Sequence, residues 1–137
     1  MGEPLLAVRE PAADAVTVTE ATVLTRAVVD PAGEVFAGHY PGFPILPGVL
    51  LVDAVGRAAA RWARAHRHEL DRPLRLAEVR SARFLAPVFP GDELTTDCAV
   101  SRLDGGALEV RGVCSTGRGR AARITVRCVP AEPVGPA

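Results

Sequence analysis

Apolar and polar positions alternate from Ala15 to Val29 in the order Val-Thr-Val-Thr-Glu-Ala-Thr-Val-Leu, which predicts one long β-strand. Ahead of it, the short apolar run Pro4–Glu10 predicts an edge strand, and Asp30-Pro31-Ala32-Gly33 supplies turn chemistry behind it. From Gly48 to about His68 the period becomes helical, with Pro47 near the first-turn position where proline is tolerated. Val49–Val52, Ala54, Val55 and Ala58–Ala60 make the first half apolar almost all round, so this helix is expected to be buried. Asp71-Arg72-Pro73 stops it. Strand patterns fill the remainder: Leu74–Ala86, Glu93–Leu103, Leu108–Thr116 and Ala121–Val129. Between them stand turns at Pro90-Gly91-Asp92, at Asp104-Gly105-Gly106 and at Gly117–Gly119. Two strands, one long helix and about four antiparallel strands predict an α+β domain in which a sheet wraps around a single central helix. A single domain over 1–137 is expected, with its core over about 5–129 and a loose tail over 130–137.

Composition narrows the function classes. The chain has 137 residues, 48% of them hydrophobic, enough for a core without disulfide staples. Its formal net charge is zero, which argues against broad binding to nucleic acid or an anionic membrane. No apolar run reaches the length of a membrane span, and the first residues show no secretory pattern, so a cytoplasmic location is expected. All sixteen basic residues are Arg, a compositional bias with no functional weight. Their placement matters more: residues 1–56 carry 2 Arg and 7 acids, whereas residues 57–83 carry 8 Arg and 3 acids. Zero is a sum of opposite parts.

Cys98, Cys114 and Cys128 are spaced 16 and 14 residues apart with no C-x-x-C pair, and read as reduced core thiols in strands, with no metal role. His66 and His68 point to different sides of a helix and read as cations at its C-terminus. The loop Gly38-His39-Tyr40-Pro41-Gly42-Phe43-Pro44-Ile45-Leu46-Pro47-Gly48 has three prolines at a spacing of three. A polyproline ligand would fit that spacing, but the bulky apolar residues between favour a buried, rigid loop.

Asp53 is a carboxylate in the most apolar stretch of the chain, where a charge needs a partner or a raised pKa unless it faces water. His39 lies just ahead of the stiffened loop, and the loop ends at a helix N-terminus with backbone N–H groups at Gly48 and Val49. An acid, a base and such N–H groups can support enolate formation from a thioester.

Residues 38–54, from Gly38-His39-Tyr40-Pro41-Gly42 through Pro47-Gly48-Val49-Leu50-Leu51-Val52-Asp53-Ala54, resemble the active-site signature of the β-hydroxyacyl-[acyl carrier protein] dehydratases, which have the hot-dog fold. Residues 81–94, Ser-Ala-Arg-Phe-Leu-Ala-Pro-Val-Phe-Pro-Gly-Asp-Glu-Leu, resemble that family's strand–turn block. The resemblance implies dehydration of 3-hydroxyacyl thioesters to trans-2-enoyl thioesters, in fatty-acid or polyketide-type biosynthesis. It implies His39 as the group that removes the α-proton and Asp53, fourteen positions later, as the group that protonates the departing hydroxyl. The two would come from opposite subunits of a homodimer. Gly48 and Val49 would polarise the thioester carbonyl, and Ile45 and Arg57 would also contact substrate. No metal or dissociable organic cofactor is implied, since the acyl chain arrives on the phosphopantetheine arm of an acyl carrier protein. Arg57 departs from the family's usual Gln, and Asp53 from the Glu of most monofunctional members. A guanidinium four residues after Asp53 would hold that carboxyl ionised and make it a poorer acid. Two alternatives follow: a non-catalytic hot-dog subunit of a heterodimer, or a hot-dog acyl thioesterase. In the basic stretch, Arg61, Arg64, Arg80 and Arg83 are the expected carrier-protein contacts.

Overall fold

A computed structural model describes residues 15–30, 45–66 and 72–131. The Pro4–Glu10 run, His39 with most of its loop, His68 and the tail from 132 lie outside the described residues. The elements are β1 (Val16–Val18), β2 (Thr22–Val28), α1 (Gly48–Ala65), β3 (Leu74–Phe84), β4 (Glu93–Arg102), β5 (Leu108–Thr116) and β6 (Gly119–Pro130). Six antiparallel strands form one sheet in the order β1-β2-β4-β5-β6-β3, and α1 packs on one of its faces. This is the sheet-around-a-helix arrangement that the hydrophobic pattern predicts.

The strand expected over Ala15–Val29 is instead a hairpin. Thr19 N–H donates to Thr22 O at 2.9 Å, and Thr19 Oγ1 accepts from Thr22 N–H at 3.0 Å. A threonine hydroxyl that takes a nearby backbone N–H offers the chain a turn in place of a ladder. The apolar phase carries the signal: Val16 and Val18 fall on even positions, the buried Val23 and Thr25 on odd ones. A slip of one residue exchanges faces in a continuous strand, whereas the turn returns Val23 opposite Val18.

In β3 four apolar residues, Leu76, Val79, Ala82 and Phe84, are spaced three, three and two apart. Register shifts between Leu76 and Glu78 and between Val79 and Ser81 absorb one residue each. All four therefore oppose the buried Cys128, Val126, Ile124 and Ala122 of β6 and share the helix-side face. At the chain's far end, Ala131 N–H donates to Pro73 O at 2.7 Å, so the expected loose tail is still tied at its first two residues.

Helix α1 buries Leu51, Ala54, Val55, Ala58, Ala59, Trp62 and Ala63 against the sheet. Four of these are alanines, so the helix can lie low. At the closest point Gly112 of β5 faces Val55, and a Cβ on Gly112 would stand 2.6 Å from Val55 Cγ2. The other end is fixed by Trp62, which is fully buried and donates Nε1–H to Glu20 O at 3.2 Å. His66 stacks on the Trp62 ring at 4.1 Å and donates through Nδ1 to Trp62 O, which closes the helix C-terminus. Arg102 lies 5.0 Å from the same ring, within cation–π range. Among the described residues no helix is long and apolar enough to cross a membrane.

Gly112→Ala overfills the closest contact in the core. It is expected to destabilise the fold by about 1–3 kcal/mol, read as a fall in the urea midpoint. Gly112→Ala combined with Val55→Ala should recover part of that loss; a double variant weaker than the sum of the singles would show that the contact is not the cause.

Candidate active site

The N-terminus of α1 is the chemically open end of the helix. Pro47 occupies the N-cap position and supplies no side-chain hydrogen bond, so the N–H groups of Gly48 and Val49 are left without an intrahelical partner. Both residues line a cavity of about 600 Å³. Ile45, Leu46, Gly48, Val49 and Leu51 line it from the entry and first turn of α1, and residues 84–88 line it from the end of β3 and the loop beyond. A hydrogen bond from Leu46 N–H to Val88 O, 2.8 Å, joins the two walls. The lining is apolar apart from backbone, which suits an acyl chain better than a charged ligand.

Gly48 is required for this geometry. A Cβ there would lie 2.8 Å from Phe84 Cζ, so the ring can close over the helix terminus only because residue 48 has no side chain. Phe84 is 52% exposed on its outer side, and Val49, Leu85, Val79 and Leu76 are also exposed. Among the described residues, five of the seven exposed large hydrophobics thus gather along and just after β3 and at the start of α1. Among the described residues, the cavity is walled by the start of α1 and by the end of β3 with the loop beyond.

Val49, Asp53 and Arg57 follow one another at i, i+4 and i+8, one stripe of α1 turned away from the sheet. Asp53 therefore shares a helix face with the cavity-lining Val49. Its side chain is 44% exposed, so it is not the fully buried carboxylate that its apolar neighbours suggested. Arg57 Nη1 stands 3.8 Å from Asp53 Oδ2, the ion pair that the spacing predicts. Of the expected residues, Gly48, Val49 and Ile45 come together in the cavity, with Asp53 and Arg57 along the adjoining stripe. His39 lies outside the described residues.

The four expected carrier-protein arginines do not form one patch. Arg61 and Arg64 stand 13 and 16 residues along α1 from Gly48, about 20 Å or more from the cavity end at 1.5 Å per residue. Arg80 sits at the second β3 bulge, and Arg83 directly precedes the cavity-lining Phe84. Sequence proximity grouped them; the length of α1 separates Arg61 and Arg64 from the end of β3.

One fastening of the cavity wall escapes a pattern reading. Asp92, in the turn after the wall, accepts the Phe89 N–H at 2.8 Å and pairs through both carboxylate oxygens with Arg118 in the β5–β6 turn, with Nη1 to Oδ1 at 2.9 Å. Arg118 also lies 4.9 Å from the Phe89 ring. Twenty-six residues separate Asp92 from Arg118, so no local spacing announces the pair. The Arg118 hydrogen bonds, with help from the Phe89 N–H and against partial burial, hold the Asp92 carboxyl below its ordinary value. Among the described residues no group of three or more His, Cys, Asp and Glu is placed to hold a metal. Cys98, Cys114 and Cys128 are buried and reduced in β4, β5 and β6, as their spacing predicts.

The family model for ApeI-like proteins, described as ApeI dehydratase, matches residues 15–118. The chain belongs to the ApeI-like dehydratase family. A 3-hydroxyacyl-[acyl-carrier-protein] dehydratase FabZ of Acidovorax sp. (strain JS42) is 33% identical over 96 residues, 68% of this chain and 66% of that protein. The matched part is thus just under two thirds of the relative's length. Among solved structures, the dehydratase heterocomplex ApeI:P from Xenorhabdus doucetiae superposes with a TM-score of 0.63 at 19% identity, covering 81% of this chain and 89% of that one. An acyl-CoA hydrolase from Staphylococcus aureus superposes at 0.60 with 20% identity, covering 85% and 67%. These likenesses establish the hot-dog fold that the two sequence blocks imply.

Because the folded-state pKa of Asp92 is depressed, its charged form contributes stability that is fully present above the unfolded value, about pH 4. That stability is lost as pH falls through the lower folded value. Asp92→Asn is expected to lower stability at neutral pH and to flatten the acid side of the stability–pH curve, measured as urea midpoints from about pH 3 to 7. An unchanged acid side would remove Asp92 as its source. At the cavity, Gly48→Ala should displace Phe84 and reduce acyl-ligand affinity more than it reduces the melting temperature. A pure loss of stability with ligand affinity intact would contradict the role given to residue 48.

Proposed function

We propose that the protein is a cytoplasmic 3-hydroxyacyl-[acyl carrier protein] dehydratase that converts 3-hydroxyacyl thioesters to trans-2-enoyl thioesters in fatty-acid or polyketide-type biosynthesis. The observation that carries this reading is a helix N-terminus whose first two residues, Gly48 and Val49, line an apolar cavity, with a carboxylate one turn along the same stripe. The acyl chain occupies the cavity, and the thioester carbonyl accepts from Gly48 N–H, with Val49 alongside. Charge that develops on this oxygen as the α-proton leaves is stabilised by the helix terminus. His39 takes the α-proton, and Asp53 gives its proton to the departing 3-hydroxyl. Water and the conjugated enoyl thioester are the products, so no electron acceptor, metal or dissociable organic cofactor is required. Substrate arrives on a phosphopantetheine arm.

The exposed apolar side chains beside the cavity, Val49, Phe84 and Leu85, support a two-subunit site. Strand β3 is an outer strand of the sheet with exposed Leu76, Val79 and Phe84, an edge that invites a further strand. A second copy paired there would cover the cavity, in keeping with the shared His39–Asp53 site that the family resemblance implies. The homodimer is the leading assembly. A heterodimer with another hot-dog subunit is the second reading, favoured by the Arg57–Asp53 pair, which keeps the acid occupied, and by the heterocomplex formed by the Xenorhabdus doucetiae protein.

The decisive assay follows enoyl formation from a 3-hydroxyacyl carrier-protein or pantetheine thioester by mass and absorbance. Wild type should form the enoyl product, and His39→Ala and Asp53→Ala should each abolish it. Full turnover by either variant removes the mechanism. Thiol release without enoyl product identifies a thioesterase, and inactivity relieved by a second hot-dog chain identifies the heterodimer. Arg57→Gln removes the guanidinium 3.8 Å from Asp53 and is expected to raise kcat for enoyl formation by freeing the acid from its ion pair, read in the same assay.

A further inference from the structure

The face of the sheet away from α1 carries a feature that the cavity does not use. Arg83 of β3 and Arg123 of β6 are direct cross-strand partners and so share a face. Arg123 is exposed between Ala122 and Ile124, which are buried under the helix, so the pair lies on the outer side. Arg120 and Arg127 of β6, Arg75 of β3 and Arg111 of β5 stand on that side too, by register with Ser115, Glu109, Val129 and Thr125. The outer face of β3, β5 and β6 sets only Glu78 and Glu109 against these six arginines, a net charge of +4. Both glutamates fall in the cross-strand row of Arg127. The Arg83–Arg123 row has none on β3, β6 or β5, and Val113 stands between Arg123 and Asp97 of β4.

Like charges directly opposite each other weaken a sheet. Neither Arg83 nor Arg123 makes an ion pair or hydrogen bond with any described residue, so nothing in the described fold offsets that cost. The row sits where the sheet becomes the cavity wall. Phe84 follows Arg83 into the cavity lining, and the N–H groups of Leu85 and Ala86 donate to Ala121 O, next to Arg120. A second copy of this chain is a poor occupant, because it would set +4 against +4.

We infer that this outer arginine face, centred on Arg83, Arg123 and Arg120, docks the acidic surface of the carrier protein that delivers the acyl thioester. The inference rests on the dehydratase reading for the carrier's identity. It moves the docking site from the helix arginines Arg61 and Arg64 to the back of the cavity wall. Attraction over the whole face steers an acidic partner to the mouth, while the sheet side keeps the cavity itself apolar.

The test measures binding of a holo acyl carrier protein of net negative charge by fluorescence anisotropy at low salt, alongside turnover of carrier-bound and free pantetheine thioesters. Arg83→Glu with Arg123→Glu is expected to weaken carrier binding about tenfold or more and to lower kcat/KM on the carrier-bound substrate alone. Arg26→Glu, on the outer face of β2, should leave both unchanged. Arg83→Glu alone places a carboxylate opposite Arg123, so it should raise the melting temperature while carrier affinity falls. Unchanged carrier binding by the double variant, or equal loss on both substrates, overturns the proposal. Should wild type dehydrate neither substrate, the dehydratase reading fails, while the binding measurement still decides the surface.

Discussion

The nearness of one helix to one sheet sets the terms for everything else in this molecule. Val55 reaches within a bond's length or two of where a Gly112 side chain would begin, and the alanines on either side of Val55 keep the whole helix low. Such packing is unforgiving, since protein interiors have little slack to absorb even a methyl group. Its reward is position. With Trp62 fixed at one end and Val55 seated in the middle, the first turn of α1 can arrive only at the end of β3. There a second glycine, Gly48, lets Phe84 close against the helix terminus.

The site that results is assembled from edges. A helix end, a strand end and a loop meet around an apolar space, and each contributes groups that regular structure leaves unused: two backbone donors, an aromatic ring and the Val88 carbonyl. The exposed β3 edge is the same physical fact seen from outside. A strand that leaves apolar side chains and backbone groups unsatisfied is costly alone and useful in an assembly, which is why cavity closure and subunit pairing are one problem here.

Much of this was legible in the residues. The helix, strands β4 to β6 and the Asp104-Gly105-Gly106 turn follow from period and turn chemistry, and Gly105 and Gly106 both adopt positive φ, as that turn requires. That Gly48 and Val49 open a helix is legible because a proline-stiffened loop running into an apolar helical period is a local pattern. The failures were also physical. In the stretch from Ala15 to Val29 a threonine turn hid inside strand-forming composition, and only the parity of the valines betrays it. The bulges of β3 obscure its period. Asp92 and Arg118, or Arg83 and Arg123, become neighbours only through strand order, which depends on the whole sheet closing and not on any window of sequence.

The three cysteines give the packed sheet a property of its own. Burial pushes the Cys114 thiol up to about 11, and burial likewise raises Cys98 and Cys128. Thiols react as thiolates, and these are covered as well as protonated. An alkylating reagent can therefore reach them only in molecules whose helix has lifted from β4, β5 or β6. Each of β4, β5 and β6 thus carries its own clock, and the rate at which each one runs down would time the parting of that strand from the helix.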